Sequence, residues 1–312
     1  MPPTPSGGAR TRRAAAAAEQ AATPATRRRG NTANANGAGA SAGPWLLPSL
    51  RLCARALVLA WLVIVWLWHL TPAASVLPGA TGHLWFFRYL TFYSFSLQLL
   101  AVALAVAHET SALFSSSSAA AAKPPAKSSA RGARKPTLRH RLALWADDLG
   151  CAVFCFAHVV TLMFHLIQRA QGRERAVEGA HIERPPWLDA SVHRLNAAAA
   201  WMDIALLAPR GGRSFSASGE RLSQVLVAFY CSLLAASKAL NGAFPYPFMN
   251  AMRHPHGYAA TCGFGLVIFG VAFKVGRVVG GGLRRAEDWA ADRVREGGGG
   301  DDGDGKRGEK EK

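Results

Sequence analysis

The sequence predicts an all-α membrane protein, a six-transmembrane helix bundle between a disordered basic N-tail and a polar C-tail. Three observations predict it. Half of the 312 residues are hydrophobic, yet mean hydropathy is only +0.09, because both ends are polar and the apolar residues crowd between Trp45 and Val279. Six stretches in that interval approach the length of about 20 residues that a helix needs to cross a hydrocarbon core of about 30 Å. The formal net charge of +17 falls in tails and alternate loops, which is a topology signal and not the basic face of a nucleic-acid-binding domain.

Taken in order, residues 1–44 are rich in Ala, Arg and Thr, with Glu19 the only acid before Trp45. The composition fits an organelle transit peptide or a disordered tail, and we read it as a tail. The apolar run behind it acts as a signal anchor, not a cleaved signal peptide. The first span is Leu50–Leu70, with Arg51 and Arg55 at one end and Trp66 and Trp68 at the other, suited to the two interfaces. The second is Leu84–Ala107. A Ser-, Ala- and then Lys/Arg-rich loop follows, holding Pro124 and Pro125. The third is Leu149–Ile167, where Asp147 and Asp148 read as an N-terminal cap.

The fourth span, Leu188–Ala208, is the weakest by hydropathy because it carries His193, Arg194, Asn196 and Asp203. The fifth is Leu222–Leu240. The sixth, Tyr258–Val279, contains Gly263, Gly265 and Gly270, residues small enough for close helix packing. These boundaries divide the chain into a tail (1–44), a membrane domain (45–280) and a polar tail (281–312). About 24 of the 36 lysines and arginines lie before the first span, in the loops after the second and fourth, and after the sixth. The positive-inside rule then places both termini in the cytoplasm. The membrane is the endoplasmic reticulum or the plasma membrane.

The five cysteines, Cys53, Cys151, Cys155, Cys231 and Cys262, all fall in apolar runs, without zinc-type spacing. Cys151 and Cys155, one turn apart, read as small apolar residues on a buried helix face. The pattern calls for no metal and no cofactor.

Polar groups inside spans are the candidates for chemistry. At 1.5 Å per residue, Thr91 sits roughly 10 Å in from the non-cytoplasmic end of the second span. His193 sits roughly 8 Å in from the same side on the fourth. The two therefore lie level, beneath the Asn241–Gly257 loop with its Tyr246. Each also has a plainer role. A membrane threonine ordinarily bonds back to a carbonyl one turn earlier, here Phe87, and a histidine near a helix end sits at the interface. Arg194 snorkels outward. Asp203, near mid-membrane, needs a partner, with His158 and His165 in reach on the third span.

The run Phe87-Arg88-Tyr89-Leu90-Thr91-Phe92, with Gln98 after it, resembles the second-helix signature of the androgen-induced gene 1 family. The segments Pro186-Trp187-Leu188-Asp189-Ala190-Ser191-Val192-His193 and Gly242-Ala243-Phe244-Pro245-Tyr246-Pro247-Phe248 resemble two further family blocks, in order and spacing. The resemblance implies an integral-membrane hydrolase of lipid esters, specifically fatty acid esters of hydroxy fatty acids. It also implies that Thr91 is the nucleophile and His193 the base. Tyr246, Asn196 and His158 are candidate oxyanion donors, Arg194 a candidate contact for a fatty carboxylate, and Asp203 stands where the family carries an acid. Ala190 and Asp189 depart from the family's His and Asn. The expected partners are a lipid ester from the bilayer and membrane lipids, with no nucleic acid. Two other readings keep the same fold: a non-catalytic membrane regulator, and a proton-linked transporter built on Asp203, His158 and His165.

Overall fold

The computed structural model describes residues 46–121, 137–171, 185–207 and 213–297; the expected N-tail, the Lys-rich loop and the last fifteen residues lie outside them. Helices α1 (Leu46–Trp68), α2 (Leu90–Ala121) and α3 (Leu138–Gln171) come first. A helical rod over 186–207 follows, made of α4 (Pro186–Ala190), a π-helical turn (Ser191–Leu195), α5 (Asn196–Met202) and a second π-helical turn (Asp203–Leu207). Helix α6 (Ala217–Asn241), a short α7 (Pro247–Ala251) and α8 (His256–Gly297) complete the chain. No strand occurs among the described residues.

Five of the helices are long and apolar enough to cross a membrane: α1, α2, α3, α6 and α8. Apolar side chains on their outer faces stay exposed, among them Leu57, Ile64, Val225, Phe229, Val267 and Val278. A water-soluble helical protein would bury such a belt, whereas lipid solvates it. The segment expected as the fourth span is continuous in backbone direction but changes helical register twice.

Helix α3 is the centre. It packs against α2, α6, α8 and the rod, while α1 leans on α2 at the edge. The reason is side-chain size. Cys151, Ala152, Cys155 and Ala157 are fully buried, and small residues let neighbouring backbones approach. Cys151 and Cys155 are free thiols in this packing face.

Several boundaries differ from the hydropathy reading. Helix α2 begins at Leu90, not Leu84, because Leu84 and Trp85 adopt positive φ (67° and 45°) and Trp85–Arg88 form a 3-10 turn. Trp85 and Phe86 pack there with Trp66 and Phe92 in an aromatic cluster. Helix α3 begins at Leu138, so Asp147 and Asp148 lie well inside it and cap nothing. They accept instead from the 214–218 segment: Ser214 bonds Asp147, and Ser216 and Ser218 bond Asp148 at 3.0 and 2.9 Å. Helix α8 runs to Gly297, so residues 281–297 of the expected polar tail are helical. Their Leu, Arg, Ala and Glu content favours helix without any need of lipid.

The glycine expectation is also redirected. A side chain at Gly263 or Gly270 would meet open space, whereas Gly276 lies against the Phe215 ring and Gly280 against the Arg213 carbonyl. Close approach to α8 therefore happens near Gly276 and Gly280, where the 213–216 segment lies against it.

A buried charge cluster ties that end together. Arg213 Nε donates to Asp203 at 2.6 Å and Nη1 to the Ala146 carbonyl at 2.6 Å. Arg55 pairs with Asp203 at 3.2 Å and with Glu109. Asp203 thus finds two arginines, not His158 or His165. His158 Nδ1 instead bonds the Phe154 carbonyl of its own helix at 2.7 Å. Hydropathy counted Arg213 as a loop charge, but it is buried.

Candidate active site

A cavity of about 680 Å³ opens between α2, α3, the rod, α6, α7 and α8, at the end away from the charge cluster. Its volume lies within the range of small-molecule sites. Phe156, Val159, Met163, Val227, Leu234 and Phe269 give it largely apolar walls. Thr91, Asp189, His193 and Tyr246 bring polar groups to it from three chain segments: the start of α2, the rod and the loop before α7.

Thr91 is the second residue of α2. Tyr89 caps the helix, its carbonyl accepting from the Tyr93 N–H at 3.0 Å. The Leu90 N–H donates to the Tyr246 hydroxyl at 2.7 Å, and that hydroxyl lies 3.3 Å from the Tyr230 hydroxyl. The N–H groups of Thr91 and Phe92 belong to the first turn, where no helical carbonyl precedes them. They have no hydrogen-bond partner among the described residues. The same position removes the back-bond expected to Phe87. Thr110 and Thr261, further along their helices, do bond back, each at 2.8 Å. Thr91 also borders a second, small cavity beside His69, whose Nδ1 bonds the Val65 carbonyl at 2.9 Å.

His193 sits in the π-helical turn. The wider register leaves its carbonyl to an outside donor, and Thr161 of α3 supplies one at 2.7 Å. Just below, Gln98 of α2 donates to the Asn196 carbonyl at 3.1 Å, and the Asn196 side chain donates to Ser94 at 3.3 Å. Polar groups of α2 and α3 thus hold the irregular backbone, and π turns of this kind recur at functional sites. The His193 ring stacks on Phe164, with centroids 3.8 Å apart and planes 8° from parallel. Its Nε2 lies 3.6 Å from an Asp189 carboxylate oxygen, one turn earlier.

Thr91, His193 and Tyr246 therefore meet at one cavity. Asn196, His158, Arg194 and Asp203 do not line it. Asn196 is buried in the α2–rod junction, His158 packs on Phe154 and Trp201, Arg194 is exposed, and Asp203 belongs to the charge cluster. Two neighbours escaped sequence reasoning. Asp189 read only as a departure from a pattern, although its spacing to His193 (i, i+4) puts both on one helix face. His69 read as the end of an apolar run.

Thr91 starts its helix, whereas His193 lies seven residues, about 10 Å, along the rod. Both nonetheless reach the same cavity. Comparisons with curated proteins and with solved structures give no match. A family model does match, over residues 51–279, described as FAR-17a/AIG1-like protein. That span takes in every residue lining the cavity, and the chain belongs to the FAR-17a/AIG1-like family.

Proposed function

We propose that this protein is an integral-membrane hydrolase of lipid esters, fatty acid esters of hydroxy fatty acids, with Thr91 as nucleophile and His193 as base. One observation carries the reading: Thr91 and His193, from separate elements, share the wall of a largely apolar cavity at the outer end of the bundle. An acyl chain suits such walls, and an ester suits the polar groups among them.

An alkyl hydroxyl is a poor nucleophile until a base takes its proton. With Nε2–H directed at Asp189, His193 Nδ1 is the basic nitrogen. It accepts the Thr91 proton as Oγ1 attacks the ester carbonyl. The Asp189 carboxylate then stabilises the imidazolium that forms. The oxyanion develops beside the start of α2, where the Thr91 and Phe92 N–H groups and the positive helix end favour negative charge. Collapse releases the hydroxy fatty acid, whose oxygen takes the proton back from His193. Water then attacks the acyl-threonine as His193 removes its proton, and collapse releases the fatty acid while His193 returns that proton to Thr91 Oγ1.

In this reading the rod is a sixth span, both termini are cytoplasmic, and the cavity opens toward the outer leaflet. The transporter reading loses its supports, since Asp203 is engaged by two arginines and His158 by its own helix. The test is covalent labelling of purified protein with a fluorophosphonate. Wild type labels on Thr91, Thr91→Ser retains labelling, and Thr91→Ala loses both labelling and ester hydrolysis. Equal labelling of wild type and Thr91→Ala would falsify the assignment.

A further inference from the structure

The cavity also meets the lipid-facing surface. Helices α6 and α8 form two of its walls, yet both pack mainly on α3 and scarcely on each other. Two side-chain hydrogen bonds cross the gap between them. The Tyr258 hydroxyl donates to the Cys231 carbonyl at 2.9 Å, and Arg277 Nη2 donates to Glu220 at 2.8 Å. The second bond fixes which faces look across the gap. Residues seven or eleven positions apart on a helix lie within about 20° of one another. Val227 therefore shares the Glu220 face of α6, and Leu266 shares the Arg277 face of α8. Both line the cavity. Each lies about 15 Å from the nearer end of its helix, at hydrocarbon depth. Leu266 is nevertheless 51% exposed, so α6 does not close over it. Val225, Phe229 and Val267 on the same two helices are exposed as well, part of the belt that lipid solvates.

We propose that the gap between Val227 and Leu266 is a lateral doorway through which the acyl chain of a membrane lipid ester slides from the bilayer into the cavity. The choice of an ester rests on the hydrolase reading, and the doorway does not. A hydrocarbon chain that enters here never leaves apolar surroundings. One that entered from water would expose every methylene to solvent, at a cost that rises with chain length. Inside the doorway, the buried rings of Phe156 and Phe269 continue the apolar wall. Thr91 and His193 stand on α2 and the rod, so the chain arrives between helices that carry neither proposed catalytic group.

The experiment uses the full chain in phosphatidylcholine nanodiscs, with a diazirine-bearing stearic acid as probe. Photolysis should label Phe156 and Phe269 as well as the outer belt. The double variant Val227→Trp/Leu266→Trp fills the gap and should lower labelling of both phenylalanines by about tenfold, with belt labelling intact. Hydrolysis of esters supplied in the nanodisc should fall with it, more steeply for a hexadecanoyl than for a butanoyl group. Val225→Trp/Val267→Trp puts the same bulk outside the gap and should keep the wild-type pattern. Val227→Ala/Leu266→Ala widens the gap and should raise the rate of interior labelling, so the outcome does not hang on one variant that folds poorly. Unlabelled phenylalanines in wild type, interior labelling that survives the first pair, or an unchanged rate in the alanine pair overturns the proposal. Photolabelling needs no hydrolysis. A chain that shows this labelling but cleaves no ester would remove the ester reading and keep the doorway.

Discussion

Thr91 differs from the other helical threonines in where its hydroxyl goes. Thr110 and Thr261 tie theirs to their own helices and Thr161 crosses to the rod, whereas Thr91 opens onto a cavity. Its proposed partners make separate predictions at this scale. His193→Ala should lower the rate of ester hydrolysis by about 100- to 10,000-fold, the usual range for a general base. Asp189→Ala should lower it only about tenfold, with little change in KM, because a partly screened ion pair is worth on the order of 1 kcal/mol. His69→Ala is the control, since its ring borders only the small cavity on the other side of Thr91. A larger loss from His69→Ala than from His193→Ala would reassign the base. The sequence revealed both Thr91 and His193 but not Asp189 or His69. Asp189 lies in the same block as His193, so its spacing was legible and only its pairing was not. A neighbour on another helix depends on how far each helix is rotated, which hydropathy does not encode.

Helices as elements were legible, but their ends were not. Hydropathy marks where lipid begins, and a helix need not stop there. Helix α3 continues toward its N-terminus to Leu138 and α8 toward its C-terminus to Gly297 through polar residues of good helix propensity. The opposite happens at α2, where an apolar stretch gives up helix for a 3-10 turn. The rod owes its cohesion to other elements, and the charge cluster at its Asp203 end tests this. Asp203→Ala leaves Arg213 and Arg55 buried with a carboxylate missing, at a cost of about 3–5 kcal/mol. Thermal unfolding in detergent should show the loss, and the double variant Asp203→Leu/Arg213→Met should recover part of it. Contact between α8 and the 213–216 segment gives a sharper pair. Gly276→Val drives a side chain into the Phe215 ring and should destabilise by about 1–3 kcal/mol. Gly263→Val meets open space and should leave unfolding unchanged.

At the scale of the whole molecule, charge and chemistry lie at opposite ends. The Arg55–Glu109–Asp203–Arg213 cluster and the basic part of α8 occupy one end, and the cavity with Thr91 and His193 the other. The positive-inside rule assigns the first end to the cytoplasm. A protease site inserted near Gly37 should therefore be cut in sealed vesicles only from the cytosolic face, and cutting from the luminal face alone would reverse the orientation. The family's blocks were legible in the sequence, and they lie around the cavity. The charge cluster was not, because Arg55, Glu109, Asp203 and Arg213 come from four distant segments and each looks ordinary in its own.

The start of α2 has a consequence of phase. A residue inside a helix turns through about 100° for each position of slippage. Thr91 is held in azimuth by Phe95, Gln98, Ala101 and Ala105 below it, all buried. Nothing above it shares that rotation, since the helix ends one residue earlier. Chain length can therefore drift in the 71–83 segment without turning the hydroxyl, whereas a single insertion between Thr91 and Phe95 would swing it out of the cavity. The reactive group is timed like the first tooth of a gear, set entirely by the wheel behind it.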